Sequence, residues 1–560
     1  MSFISHLPKK EQVVAYPKDR RVVIGLGKKT WIALILILGI PVIAAWVQYL
    51  GWGLPADPSA SFTMPTASEP SGFPAWIRVS HWVNFLFLTL IIRSGLSILF
   101  DHPRLYFNSH CTPHSEWLRF TPIKVPSYKM WTAKQDARYL SPWIGLPGYK
   151  HTVGRARNWH FITVPFFVLN GVIFIVLLFV TNQWQRLVPT SWQIIPDAWN
   201  IFVHYITFNF PIEPNAFYHY NALQKIAYFA VVFVLAPLAM LSGIGMSPAI
   251  KNRFPWYTKL FKNRQGARSV HFLVMVAYVI FIIVHVALVA STGLIVNMNH
   301  ITLGLNKSTS LTGLIIGSAI ILFVILCWYF ATWLSWHYPR ALQKLQRDFN
   351  GNLWRMSINR LKPREDYYTQ KDISPYFWPN GNLPKENKEW RDLARDDFKD
   401  YKLKVGGMVD NPQTFSLDEL KELAQKETIT MHHCIQGWSG IAEWKGIPIK
   451  KIVEIVKPHD KATTVAFISF GKGLYGTTYY DTHTLDNCLK PGALLAWEMN
   501  YKPLSIAHGA PLRLRIENQL GYKMVKWIES IEFIEGPESI GKGHGGRNED
   551  DEYYDLLADI

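Results

Sequence analysis

The run 268–294, RSVHFLVMVAYVIFIIVHVALVASTGL, constrains this chain more than any other stretch. It is apolar for longer than the ~20 residues a helix needs to cross a bilayer. It also carries His271 and His285, fourteen positions apart. Helical geometry puts them about 21 Å apart along the axis and only about 40° apart in azimuth. One membrane helix therefore shows an imidazole on the same face near each side of the bilayer. Polar rings in lipid are costly and tend to be functional. The alternative is two histidines satisfied by neighbouring helices or by the interface, and the partners decide between them.

Five further apolar runs, 31–50, 76–100, 159–180, 222–244 and 311–336, join 270–294 to predict six spans. The segment 51–75 holds no Lys or Arg. The next loop, 101–158, holds Arg104, Arg119, Lys124, Lys129, Lys134, Arg138, Lys150, Arg155 and Arg157. Only Arg186 precedes the 222–244 run, whereas Lys251, Arg253, Lys259, Lys262, Arg264 and Arg268 follow it. Lys307 stands alone before the last span, and Arg340, Lys344, Arg347, Arg355 and Arg360 come after it. Basic and non-basic loops alternate, so the positive-inside rule predicts an inner-membrane, multi-pass protein with both termini cytoplasmic. The net charge of +17 is thereby explained by orientation, and no nucleic-acid partner is expected. Arg20-Arg21 before the first span hints at a twin-arginine signal; without the companion residues of that motif, a retained first helix is expected.

The 560 residues leave room for one soluble domain beyond the bundle. Residues 1–30 form a basic cytoplasmic start, 31–50 an N-terminal transmembrane helix, 73–337 the rest of the bundle and 338–369 a polar, basic connector. From 370 to 536 short β-rich runs (402–409, 428–433, 463–470, 512–516, 526–533) alternate with helical patterns (417–423, 449–456) and Gly/Pro turns. The predicted fold is an all-α six-helix transmembrane bundle plus a C-terminal α/β domain, mixed and β-rich. The tail 537–560 is Gly-rich, then acidic, and is expected to be disordered and solvating. Cys111, Cys327, Cys434 and Cys488 are scattered, with no CxxC and no disulfide framework.

Two more histidines match the depths of the first pair. His81 opens the second span and His160 the third. With the orientation above, His160 faces His271 on the inner side and His81 faces His285 on the outer side. Haem iron takes axial histidine, so the pattern predicts two bis-histidine b haems. His102, His110, Cys111 and His114 carry metal-capable donors, but their spacing is no zinc signature. Arg78 and Arg93 suit haem propionates or simple snorkelling equally well.

With RVSHW, ARNWH, YNALQK, SGIGMS and the paired histidines in place, residues 73–335 resemble the di-haem cytochrome b subunits of formate dehydrogenases and nickel-iron hydrogenases. In that family the four matching histidines ligate two b haems, here His81, His160, His271 and His285. Two departures stand out: the extra N-terminal helix, and loop charges that invert the core.

In the C-terminal part, TITMHHCIQGWSGIAEWKGIPI places Cys434 at the end of a predicted buried strand. By residue type it is either a soft metal ligand or a structural thiol. Residues 373–535 resemble the molybdopterin-binding domain of the sulfite oxidase family, including bacterial sulfoxide reductases. The segments SPYFWPNGNLP, FKDYKLKVGGMVDNP, HHCIQGWS, PGALLAWEMNYKPL and HGAPLRLRIENQLGYKMVKW carry the likeness. It implies that Cys434 ligates molybdenum, that Tyr479 lies beside the metal, and that Asn380, His508, Arg513, Lys523 and Lys526 cradle the pterin and its phosphate. Pro379 and the stretch Gln436 to Ser439 lack the arginines with which animal and plant sulfite oxidases hold sulfite; of that cluster only Arg513 remains. A pocket with fewer fixed cations suits a small dianion less.

The combined reading is a molybdopterin-dependent oxidoreductase. It exchanges electrons between the quinone pool and molybdenum through two b haems, with oxygen-atom transfer on a small-molecule substrate of sulfoxide type. A quinone-reducing sulfite-type oxidase and a non-catalytic haem conduit or redox sensor are the alternatives. Lipid and quinone are the expected partners, and homo-oligomers are compatible with the sequence.

Overall fold

A computed structural model describes residues 22, 24–57, 73–121, 125, 131–149, 152–210, 217, 219–306, 308–363, 368–473, 476–556 and 558–560. The basic start before residue 22, Lys124, Lys129, Lys150 and Lys307 lie outside the described residues.

Six helices are long and apolar enough to cross a membrane: α1 (Lys28–Trp52), α2 (Ala75–Asp101), α3 (Val153–Val180), α4 (Ala222–Gly245), α5 (Arg264–Ser291) and α6 (Thr312–His337). Their starts follow from local chemistry. The Thr152 side chain accepts from Arg155 N at the head of α3, and Asn263 accepts from Gln265 N and Gly266 N at the head of α5, satisfying N–H groups that a helix start leaves unpaired. Large apolar side chains such as Leu169, Val172, Val176, Ile283, Val286, Ile315 and Leu322 point outward and are exposed. That is the surface a bilayer covers. Inside the bundle several polar groups are paired. Trp159 Nε1 donates to Ser335 Oγ at 2.6 Å, and Asn170 Nδ2 donates to Asn84 Oδ1 at 2.7 Å. Arg93 is buried and donates to Pro142 O, Gly145 O and Thr332 Oγ1. Protein oxygens thus already surround the guanidinium that the sequence offers to a propionate.

At one end of the bundle, β1 (Gly25–Leu26), β2 (Arg104–Leu105) and β3 (Leu118–Arg119) form a small sheet in the order β1–β3–β2. The C-terminal domain holds two five-stranded sheets. One runs β11 (Lys502–Pro503), β10 (Leu494–Met499), β7 (Ser439–Pro448), β6 (Lys426–His433), with β12 (Arg513–Arg515) also paired to β10. The other runs β5 (Gln413–Ser416), β4 (Lys402–Gly407), β13 (Ile528–Ile534), β8 (Thr464–Lys472), β9 (Thr478–Thr484). Only the β4–β13 pair is parallel among these ladders.

The two halves share one core. Tyr106, Cys111, Ala133 and Val153 from the bundle side pack in the same buried cluster as Trp378, Cys434 and Trp438. The domain sits on the end from which α3 and α5 start and at which α2 finishes. This is also the end that carries the basic loops.

The tail departs from expectation. Glu549 and Asp550 are 0% exposed. The segment packs between the bundle and the domain, with Lys134 on Glu552 at 3.1 Å and Lys523 on Glu549 at 2.6 Å. Its acidic side chains meet buried Lys523 and half-buried Lys134, a pairing that composition alone does not show.

Candidate functional site

The four histidines fall into two facing pairs. The ring centroids of His81 and His285 lie 6.3 Å apart, and those of His160 and His271 lie 6.4 Å apart. Imidazole–metal bonds run about 2 Å and a ring centre lies about 1 Å behind its nitrogen, so two rings sharing one metal ion sit roughly 6 Å apart. The spacing fits a bis-histidine haem. Three of the four outward nitrogens are also oriented, whereas His81 Nδ1 is buried without a hydrogen-bond partner. His271 Nδ1 meets Ser242 Oγ at 3.0 Å and Ala239 O at 3.1 Å. His160 Nδ1 meets Ser94 Oγ at 3.2 Å, and His285 Nδ1 meets Tyr228 Oη at 3.5 Å. Such contacts hold a ligating ring in one orientation. His204 and His219, also on the bundle, join neither pair; His204 Nε2 contacts Pro55 O at 2.9 Å.

The second centre surrounds Cys434. It directly follows β6, and its turn is closed by Cys434 N donating to Trp438 O and Gly437 N donating to Cys434 O. A cavity of about 170 Å³ opens there, lined by Cys434, Tyr479, Asn380, His508, Arg513 and Lys526 together with Trp378, His432 and Gln436. Six of the seven residues named from the sequence for this centre therefore share one cavity. Lys523 does not; it is buried and ion-paired to Glu549 and Asp481. The position is basic and close in sequence to Lys526, but the structure turns it to the tail.

The electrostatics fit an anionic, metal-bearing cofactor. Burial pushes the Cys434 thiol up to about 12, so it ionises only beside a strong cation such as a metal. No cluster of three or more His, Cys, Asp or Glu donors that could hold a metal occurs among the described residues. A metal at Cys434 would bring its other ligands with it. Lys526 Nζ donates only to carbonyls, those of Asn380 and Ala507. Burial, then the neighbouring Arg513, holds its ammonium well below the usual lysine range. Arg513 is 4% exposed, donates through Nη1 to His508 O, and leaves Nε without a protein partner. Two cations, buried Arg513 and half-buried Lys526, without a carboxylate on either fit a phosphate. His508 is lowered to about 4, chiefly by burial, and so is a neutral hydrogen-bonding group. Tyr479 is held well above the usual phenol range by burial and by the charges of Asp481, Glu549 and Glu552. It stays a phenol, donating to Tyr522 O at 3.1 Å and accepting from Asn548 Nδ2 at 2.8 Å.

Sequence reasoning misses part of the wall. Asp101, Tyr139, Thr152 and Val153 from the bundle side, and Asn548, Glu552 and Tyr554 from the tail, line the same cavity. No local motif marks them, because they arrive from two distant segments. His110 and Cys111, candidates for zinc by type, serve the domain contact instead: His110 Nδ1 meets Ser374 Oγ at 2.9 Å, and Cys111 Sγ accepts from Ser439 N at 3.4 Å.

The junction between the centres is direct. Gln265 Nε2 donates to Gly437 O at 2.9 Å and Arg264 Nη1 to the same oxygen at 3.3 Å. Gln436 Nε2 donates to Asp101 O at 3.2 Å. The turn after Cys434 thus rests on the first turn of the helix that carries His271. Gln265 and His271 are six residues apart on that helix, about 9 Å of rise along its axis.

Residues 391–540 match the model of an oxidoreductase molybdopterin binding domain, and residues 72–301 match that of prokaryotic cytochrome b561. The chain is 34% identical over 145 residues to the "Protein-methionine-sulfoxide reductase catalytic subunit MsrP" of Xanthomonas axonopodis, covering 24% of this chain and 45% of that protein. It is 28% identical over 220 residues to the subunit YedZ1 of Azospira oryzae, covering 39% of this chain and 89% of that protein. The crystal structure of the sulfane dehydrogenase SoxCD from Paracoccus pantotrophus aligns at 18% identity and a TM-score of 0.22, covering 24% of this chain and 39% of that one. The chain spans about half the length of the MsrP proteins it matches.

Proposed function

From a chain that joins a multi-pass cytochrome b to a molybdopterin-binding oxidoreductase domain, we propose a membrane-bound reductase of small sulfoxide-type substrates that draws its electrons from the quinol pool. The reaction balances as R₂SO plus two protons and two electrons giving R₂S and water: the S–O bond breaks, sulfur is reduced, and quinol is oxidised to quinone. When bound, the molybdenum–pterin group supplies oxygen-atom transfer and two b haems supply one-electron relay. His160 and His271 would hold the haem nearer the domain, and His81 and His285 the farther one. Cys434 would ligate molybdenum. Arg513, Lys526, His508 and Asn380 would hold the pterin and its phosphate, and Tyr479 would stand beside the metal as a neutral phenol. The basic loops favour a cytoplasmic domain.

The observation that carries this reading is the seat of Cys434, in a cavity with two cations that no carboxylate pairs and against the first turn of the His271 helix. Pro379 and Gln436 line the cavity at positions where the sulfite oxidases it resembles carry arginine, and a neutral sulfoxide needs no such cation.

Metal and haem analysis of the detergent-purified protein tests the reading. Molybdenum near one and haem near two per chain, with molybdenum lost in Cys434→Ser, is the expected result. Folded protein with haem and no molybdenum would remove the catalytic reading. Direction is read from the haem spectrum: a sulfoxide should reoxidise dithionite-reduced haem, and haem reduction by sulfite would instead favour the oxidase.

A further inference from the structure

The C-terminal strap that follows Pro537 forms one side of the reaction cavity. Asn548, Glu552 and Tyr554 line it together with the turn of Cys434. The strap is fastened on both flanks. On the bundle side, Thr152 Oγ1 donates to Glu552 O at 2.8 Å, Gln343 Nε2 to Tyr554 O at 2.6 Å, and Arg340 Nη2 to Glu549 O at 2.9 Å. On the domain side, Leu520 N donates to Ala558 O and Ile560 N to Asn518 O, both at 3.0 Å. Across the cavity edge Lys134 meets Glu552 at 3.1 Å, and Tyr554 Oη donates to the other Glu552 oxygen at 2.9 Å. The approach is close enough that a Cβ on Gly154 would meet Glu552 O and Tyr553 O at 2.8 Å. Cys434 is left 4% exposed.

Recognition of a peptide segment needs a groove or a sheet edge open along its length. Here the cavity is walled by three separate parts of the chain, and one of them is tied down by its own backbone. We propose that the strap restricts the site to free small molecules and excludes sulfoxide groups carried within a protein chain. The proposal rests on the oxygen-atom-transfer reading above. A peptide carrying the reacting group would have to displace Glu552 and Tyr554, and with them the bonds that join the two halves.

Two measurements test it. In the holoenzyme, reoxidation of dithionite-reduced haem is followed with free methionine sulfoxide and with oxidised β-casein at equal sulfoxide concentration. The free compound should react faster by roughly tenfold or more. Tyr554→Gly, or Lys134→Ala where the first variant fails to fold, should raise the casein-to-free ratio severalfold. Equal rates in the unaltered protein would overturn the proposal. Reaction with neither compound would count against the sulfoxide reading, and access is then decided separately. In the molybdenum-free full-length chain with the other three cysteines changed to serine, Cys434 is labelled with methyl methanethiosulfonate or with a maleimide bearing a long polyethylene glycol chain. Labelling by the small reagent alone, with the large one admitted in the strap variants, supports the proposal; equal labelling by both in the unaltered strap refutes it.

Discussion

Replacing Lys523 by methionine removes the cation held between two fully buried carboxylates. Lys523 Nζ lies 2.6 Å from Glu549 Oε1 and also pairs with Asp481, and both acidic side chains are 0% exposed. One cation facing two carboxylates leaves a surplus negative charge. Burial pushes both carboxyls up, with Glu549 adding to the rise at Asp481 and Asp550 to that at Glu549, so one of them keeps its proton; Asp481 Oδ2 and Glu549 Oε2, each without a partner, offer places for it. Without the lysine the second carboxyl must also be neutral or be buried unpaired, and breaking a buried pair costs about 3–5 kcal/mol. For a unit of this size that corresponds to a Tm lower by about 6–20 °C. A carboxyl whose folded pKa lies above its unfolded value of about 4 contributes stability that is complete below that value and is lost as pH rises through the folded value. The variant should therefore lie nearest the parent at pH 5 and furthest from it at pH 8. Calorimetry of the detergent-solubilised protein at both pH values measures this. Glu549→Gln, which keeps the Lys523–Asp481 pair, should cost much less at pH 8. An unchanged Tm at pH 8 together with lost molybdenum would refute the reasoning and return Lys523 to the phosphate cradle.

His271→Ala and His285→Ala should each remove half of the haem seen by the pyridine haemochrome spectrum, and full haem content in both would break the pairing. Arg513→Met should weaken cofactor retention by roughly tenfold or more, since a hydrogen bond to a charged group is worth about 1.5–3 kcal/mol; molybdenum occupancy after growth in limiting molybdate reads this out. Gly437→Ala should loosen the junction. Its φ is +109° and a Cβ there would sit 3.2 Å from Arg268 Nε, a conformation that costs an L residue about 1–2 kcal/mol. Faster tryptic cleavage in the connector after α6 is the expected sign.

The membrane half was legible because its signals are local and periodic. A run long enough to span, a histidine at a given depth and a change in loop charge can each be read one helix at a time. The strands that frame Cys434 were legible only in part. β6 and β13 are β-rich runs, whereas β7 (SGIAEWKGIP) and β10 (LLAWEM) are buried along nearly their whole length. Strands buried on both faces lose the alternation that marks a strand in sequence. Lys523 and the tail were misread for one physical reason. An acidic run looks solvated by composition, and only the fold shows that Lys523, Lys134 and Arg340 wait beneath it. Lys526, three residues from Lys523, lines the cavity as expected; proximity in sequence does not decide which way a side chain turns out of an irregular segment.

The basic residues of the inner loops carry two explanations that the structure joins. By the positive-inside rule they orient the bundle. In the fold several also tie this end together: Arg268 donates within the bundle to Leu99 O, His102 O and Arg104 O, Arg264 to Met246 O and, across the junction, to Gly437 O, and Arg340 to Glu549 O and Asp550 O of the tail. Each guanidinium meets backbone carbonyls, which many side chains around it could provide, so the contacts demand cations at these places without demanding a motif. It follows that the domain packs against the same end of the bundle that the charges assign to the cytoplasm. Orientation and domain placement are then one question. A reporter fused after Ile560 that is active only in the cytoplasm should be active. A reporter active only on the far side of the membrane would mean that the domain and the basic loops cross together, and that the charges serve the junction rather than the topology.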